Sequence, residues 1–301
     1  MTTVTETEIA APARVVPDRS TADVASAVEF EDAAPNRRLA KRALALLGRA
    51  VWKSTAIALL LLLWEFGPNA LLDQSTRVFL PPLHDDLYAW WQLAKSGGLQ
   101  AHLSASLTRS GIGFGLAIVA AVPLGLLIAW YRPLASFLNP VLELFRNTAA
   151  LALLPVFTLL LGIGETSKIA IVAYASFFPV LLNTIAGVQT VDPLLIRAAR
   201  TMGLPNFRMF QKVVLPSAVP TIFTGIRMAG AASILVLIAA EMAGAKAGLG
   251  YLIINDQSSF RIPEMYAGIL TISVLGLLVN TVLVRLERHF SRWRTGAAAT
   301  N

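Results

Sequence analysis

The chain has 301 residues, 55% of them hydrophobic and only 14% charged, with a mean hydropathy of +0.63. Soluble domains carry about a quarter of their residues as charges, so this composition excludes one and points to an integral membrane protein. The formal charge of +7 does not read as a nucleic-acid footprint, because Lys and Arg cluster beside apolar runs rather than along one polar face; with no cysteine, disulfide and thiolate chemistry are excluded too.

Residues 1–36 are rich in Thr, Ala, Val, Glu and Asp without sustained periodicity, which predicts a disordered cytoplasmic tail. They lack the basic start and short apolar core of a secretory signal. Residues 37–53, RRLAKRALALLGRAVWK, admit two readings: a helix lying as an elbow in the membrane interface, or simple positive flanking of the first span. A crossing helix needs about 20 mostly apolar residues. Six stretches qualify, approximately 54–72, 109–130, 138–161, 168–187, 218–243 and 265–285, within a membrane domain spanning 54–290.

Lys and Arg set the orientation. The cluster from Arg37 to Lys53, then Arg132, then Arg197, Arg200, Arg208 and Lys212, and finally Arg285, Arg288, Arg292 and Arg294 mark cytoplasmic segments, including the tail 291–301. Both termini are therefore expected in the cytoplasm. The outer segments hold His84, Asp85 and Asp86, the turn 162–168 and the loop 244–263. In the first of these, a helix capped by Asp85 or Asp86 carries Trp90 and Trp91 at headgroup level, and residues 99–108 form an amphipathic approach to the second span. Gly111 and Gly115 form a small-x-x-x-small pair that predicts close helix packing; no strand precedes them, which excludes a dinucleotide fingerprint.

No nucleophile elbow, P-loop or paired-carboxylate constellation is present, so the chain is not read as an enzyme or as binding a cofactor, and any ATP must be used by another chain. The scattered His84, His102 and His289 give no metal-ligand spacing. Polar residues within spans are expensive and face a cavity or the bundle interior. Asn147, Thr148, Ser176, Asn183, Ser233 and Glu241, with the helix-interrupting Pro155 and Pro179, form the candidate substrate path. Asn147 and Thr148 suit cavity lining and interhelical hydrogen bonding equally. Glu241, just before GAKAGLG, suits organising that loop better than binding an anion. Glu65 reaches the interface, caps a neighbour, or meets substrate.

Residues 189–216 are the one sizeable internal stretch that is both basic and helix-patterned. Asp192–Pro193 starts a helix, Gly203 and Pro205 break it, and a second short helix carrying Arg208 and Lys212 runs to Leu215–Pro216. Ala198–Ala199, Gly203 after three residues, and Val213-Val214-Leu215-Pro216 after nine more resemble the E-A-A, G, I-x-L-P signature of the membrane subunits of bacterial ABC importers. Arg197 stands where that signature has an acid, and Val213 where it has Ile. LALLPVFTLLLGIGETSK at 151–168, AEMAGAKAGLGYLI at 240–253 and Trp64–Glu65 are similar to the nitrate, sulfonate and taurine branch.

The resemblance covers about residues 54–290 and implies an all-α, type I ABC importer permease fold in a bacterial inner membrane. It also implies a second permease subunit, a homodimer by default, with two cytoplasmic ATPases and an extracytoplasmic solute-binding protein. The solute would be a small anion such as an aliphatic sulfonate, taurine or nitrate. ATPase coupling would fall to Arg197, Ala198, Ala199, Arg200, Met202, Gly203, Leu204, Phe207, Arg208, Leu215 and Pro216, with Met202, Leu204 and Phe207 as apolar contacts of a short helix near 198–207. The competing class is an ion-coupled secondary carrier or channel that needs no ATPase.

Overall fold

The computed structural model describes residues 55–70 and 73–290, and all regular structure among them is helical. The predicted tails 1–36 and 291–301 and the elbow 37–53 lie outside the described residues. The chain divides into two units, Met1–Leu63 and Trp64–Asn301. The described part of the first is the leading half of α1 (Thr55–Ala70), where Leu59 to Leu63 present the exposed apolar surface of a lipid-facing helix.

In the second unit, α2 (Gln74–Arg77) leads to α3 (Leu83–Lys95). Pro82, not Asp85 or Asp86, occupies the N-cap of α3; both carboxylates fall in its first turn, where they meet the positive end of the helix dipole. The Glu65 carboxylate accepts from the His84 backbone N–H (3.1 Å) and pairs with His84 Nδ1 (2.8 Å). Trp90 Nε1 donates to Thr271 Oγ1 at 3.0 Å, tying α3 to the last helix, while Trp91 lies beneath the Lys95 ammonium.

From the left-handed Gly97, α4 (Gly98–Trp130) runs for 33 residues without a break, so the predicted approach segment 99–108 is the first part of the span itself. The predicted third span, 138–161, is not one helix. It is divided into α5 (Arg132–Arg146) and, after a 3-10 turn at Ala150–Leu153, α6 (Leu154–Leu161), the two arms bent by 83°. Pro155 sits in the first turn of α6, where its missing N–H matters least, and Pro179 lies inside α7 (Glu165–Gln189) without ending it. Pro179 thus removes one hydrogen bond from the α7 ladder without breaking the helix, and the break in the third span falls a few residues before Pro155.

After α8 (Pro193–Thr201), a short α9 (Asn206–Met209) passes through a π-helical turn at Phe210–Val214 into α10 (Leu215–Met242). The predicted stop at Leu215–Pro216 does not occur, because Pro216 falls where the wider π turn has already loosened the hydrogen-bond ladder. Asn206–Met242 is one span of 37 residues. The short α11 (Leu249–Ser258) and the long α12 (Ile262–Phe290) complete the fold. Four described helices are long and apolar enough to cross a membrane, the bent pair adds a fifth, and α1 is a shorter apolar helix.

The bundle is built around α7, which packs along both α4 and α10. Lipid removes the hydrophobic drive between helices, so close approach through small residues holds them. Gly113, Ala117, Ala121 and Gly125 form a buried stripe at four-residue spacing on α4. A Cβ on Gly113 would lie 2.8 Å from Ile169 O and from Val172; one on Gly125 would lie 2.8 Å from Thr184 Cβ. On the other flank, a Cβ on Gly225 of α10 would lie 2.9 Å from Pro179 O. Gly111 and Gly115 face away from this contact with nothing within 4 Å, so the packing glycine lies between the predicted pair.

Two outcomes follow. Gly113→Leu should destabilise the solubilised protein by about 1–3 kcal/mol through overpacking, with Gly111→Ala near neutral, in thermal unfolding monitored by circular dichroism. Asp86 is fully buried, both of its carboxylate oxygens lack a partner, and burial, with Asp85 and Glu65 adding to it and only His84 opposing, pushes it up to about 7. Its raised value favours the protonated form, so the stability tied to it is complete below the ordinary carboxylate range and drains as pH rises through about 7. His84, raised by its bond to Glu65, drains in the same sense. Asp86→Asn should reduce the fall in melting temperature between about pH 5 and pH 8, with the shares of His84 and of Asp256, also raised by burial, remaining; an undiminished fall would contradict this.

Candidate functional site

Three features of the bundle carry chemistry. The first is the turn between α7 and α10. Asp192 accepts a hydrogen bond from Leu194 N (2.8 Å), capping α8, and Pro193 follows in its first turn. At the other end, Gly203 N–H reaches Arg200 O (2.9 Å) and Leu204 N–H reaches Ala199 O (3.1 Å), a Schellman closure that requires the left-handed φ of +71° at Gly203. Ala199 and Met209 are buried and anchor the turn, whereas Arg197, Arg200 and Arg208 are exposed. Met202 and Phe207 stand 70% and 69% exposed, with Leu204 half-buried behind them. The helix here is Pro193–Thr201, so the short helix foreseen near 198–207 lies several residues earlier, and it also exposes Leu194 and Leu195. Leu215 and Pro216 are half-buried in the continuing helix.

The second feature, at the opposite end of α7 and α10, is a charge cluster. Glu241 is fully buried; it accepts from Ser106 Oγ (2.8 Å), Arg109 Nη1 (2.6 Å) and Gly250 N (2.9 Å). Arg109, also buried, bonds Glu165 in a two-pronged pair and donates to Ala247 O at 2.6 Å. Lys168 donates to Gly164 O and Gly244 O, and Gly248 N–H donates to His102 Nδ1. A side chain on Gly248, at φ +123°, would collide with the Glu241 carboxylate. Glu241 thus ties loop 243–250 to α4, and its carboxylate is committed to these partners. Arg109, Glu165 and Lys168 are absent from the residues singled out in the sequence; the available signal was an arginine entering an apolar run with carboxylates of opposite sign in two later spans.

The third feature is a cavity of about 590 Å³ along α7, walled by α5, the 3-10 turn and α10. It gathers Thr148, Asn183 and Pro179 of the predicted path, together with Arg146, Asn139 and Gln189, which sequence reasoning did not choose. Asn147 turns back to Glu143 O (2.8 Å) and Thr148 Oγ1 to Leu144 O (3.0 Å). Asn183 donates to Pro179 O (2.8 Å). Ser176 is buried with its hydroxyl unpaired, and Ser233 donates to Gly230 O (2.8 Å) and faces Ser110 Oγ on α4. Neither serine lines the cavity, and Pro155 lies in α6 outside it.

A packed helical trio, a basic helical turn at one end, a buried ionic clasp at the other and a polar cavity beside a broken span describe a multi-pass membrane permease. The chain belongs to the family described as binding-protein-dependent transport system inner membrane component, which matches residues 121–296. It is 33% identical to the taurine transport system permease protein TauC of Escherichia coli (strain K12), over 79% of this chain and 87% of that one. It is 36% identical to that organism's putative aliphatic sulfonates transport permease protein SsuC, over 73% and 83%. Identity to the nitrate import permease protein NrtB of a Synechocystis strain is 29%, over 79% and 88%. The fold is shared with the MetNI methionine ABC transporter in inward facing conformations, at TM-score 0.54 and 18% identity, covering 64% of this chain and 95% of that chain. It is the type I ABC importer permease fold. The family is one of transport permeases and not of enzymes.

The clasp gives a test. Arg109→Leu leaves the Glu241 carboxylate buried without its guanidinium and should cost about 3–5 kcal/mol of stability. Glu165, whose side chain is 65% exposed, should lose no more than about 1 kcal/mol as Glu165→Gln. Denaturant unfolding of both variants in detergent compares them directly.

Proposed function

We propose that this permease carries a small anion, an aliphatic sulfonate, taurine or nitrate, into the cell, driven by ATP hydrolysed on separate ATPase subunits that grip residues 193–214. The relatives named for taurine, aliphatic sulfonates and nitrate supply the solute class. The observation that carries the mechanism is the capped turn itself: both ends of α8 are fixed by hydrogen bonds, and it projects Met202 and Phe207 among Arg197, Arg200 and Arg208. Such a surface suits a groove with an apolar floor and an acidic rim. The turn joins α7 to the single span Asn206–Met242, so displacing it moves two of the three packed helices as one body.

In this reading the turn faces the cytoplasm, with both chain termini on the same side, and the Arg109–Glu241 clasp faces outward, where a solute-binding protein delivers the anion. Two copies of the chain, the default by symmetry, complete the path. ATP is bound only by the partner ATPases.

Uptake of labelled taurine, ethanesulfonate and nitrate into proteoliposomes tests the coupling. The full complex with binding protein and ATP should accumulate at least one of them, and the permease alone, under a proton or sodium gradient, none. Gradient-driven uptake by the isolated permease would instead establish a secondary carrier. Gly203 refines the test, since a Cβ there meets nothing within 4 Å and only the left-handed backbone is at stake. Gly203→Val should lower transport and ATPase association together, and Gly203→Asn, which tolerates that conformation, should retain most of both.

A further inference from the structure

Residues 147–149 interrupt a span, and irregular backbone at membrane depth is tolerated only where protein or a water-filled cavity receives it. Here the break is received by the 590 Å³ cavity, which Thr148 and Ala150 both line. Immediately before the break stands Arg146, the only charged side chain among the described residues lining that cavity. A charge within a span is expensive and is placed there for a path or a partner. Its one ion pair is a loose contact with Glu143, Nη1 to Oε1 at 3.4 Å, one turn back on the same helix, and Glu143 does not line the cavity. That contact engages one of the guanidinium's five N–H donors, and the side chain is 59% exposed beside the cavity that it lines.

The other polar side chains on the lining, Asn139, Thr148, Asn183 and Gln189 among them, carry no charge. Asn147 and Thr148 spend their donors on carbonyls at the end of α5, and Asn183 spends one on Pro179 O. Beside Arg146 the wall is aromatic: Phe145 stacks on Phe178 at 5.8 Å between ring centroids, and Tyr174 meets Phe178 edge-on at 5.3 Å. A planar, weakly hydrated cation next to apolar rings, with no carboxylate on the lining, matches an oxyanion attached to a short hydrocarbon.

We propose that Arg146 is the anion-recognition residue of this cavity, holding the sulfonate or nitrate oxygens through its guanidinium while an aliphatic tail lies against Phe145, Tyr174 and Phe178. The proposal rests on the small-anion reading above and assigns that reading to one side chain.

The test has two arms on the complete transporter. Phenylglyoxal labelling of Arg146, followed by mass spectrometry, should be suppressed by sodium ethanesulfonate and by sodium nitrate but not by neutral dimethyl sulfone. In proteoliposomes, Arg146→Gln should reduce anion uptake roughly tenfold or more, the loss of a charge-assisted hydrogen bond, with Arg146→Lys intermediate. Arg146→Gln should still assemble with the ATPase subunits and elute with them in size-exclusion chromatography, which separates solute recognition from misfolding. Labelling indifferent to both anions, or normal uptake by Arg146→Gln, overturns the assignment and leaves the anion-importer reading standing. Suppression of labelling in a complex that imports none of these anions supports the site and removes that reading instead.

Discussion

The close approach of α4, α7 and α10 is the constraint on which the rest of this permease depends. In lipid, helices gain little from hiding apolar surface, and contact at the distances required by Gly113, Gly125 and Gly225 is what binds the three into a block. One end of that block carries the turn 190–214, and the other carries the clasp around Glu241 and Arg109. In the proposed coupling, a load applied to the turn would reach the clasp through packed helices rather than through loops, as a rigid-body transition requires.

The clasp and the cavity answer opposite problems of burial. Glu241, with no exposed surface, is tolerated because Arg109, Ser106 and the Gly250 N–H saturate it. Arg146 spends one N–H donor on Glu143 and stands beside a cavity, at a break where the backbone of α5 has already been released from helical geometry. The first arrangement fixes structure, and the second leaves capacity for a solute. On these grounds the ionic residues of the bundle divide into those that hold it and the one proposed to read its cargo.

The sequence showed the membrane class, most of the spans and the turn, because hydropathy, the Asp192–Pro193 start and Gly203 are local signals. It did not show the 83° bend between α5 and α6, since a hydropathy sum over 138–161 is blind to direction. Choosing Gly111 and Gly115 over Gly113 has a similar origin: in a helix apolar all round, spacing does not say which face meets a neighbour. The clasp escaped because Arg109 pairs with residues 56 and 132 positions away, a separation that no local pattern records. Pro216 read as a stop because the π turn before it, which absorbs the proline, has no distinctive sequence.

Rigid transmission from the turn through α10 is the central claim, and the absence of cysteine from the chain makes it directly measurable. Spin labels placed on cysteines introduced at the exposed Met202 and Leu235, in subunits diluted with unlabelled ones, report the distance from the turn to the far half of α10. In the proposed assembly of two copies with ATPase subunits, binding of ATP should leave that distance unchanged while distances between the two copies shift. A change within the subunit of several ångströms, with the distances between subunits fixed, would contradict the account.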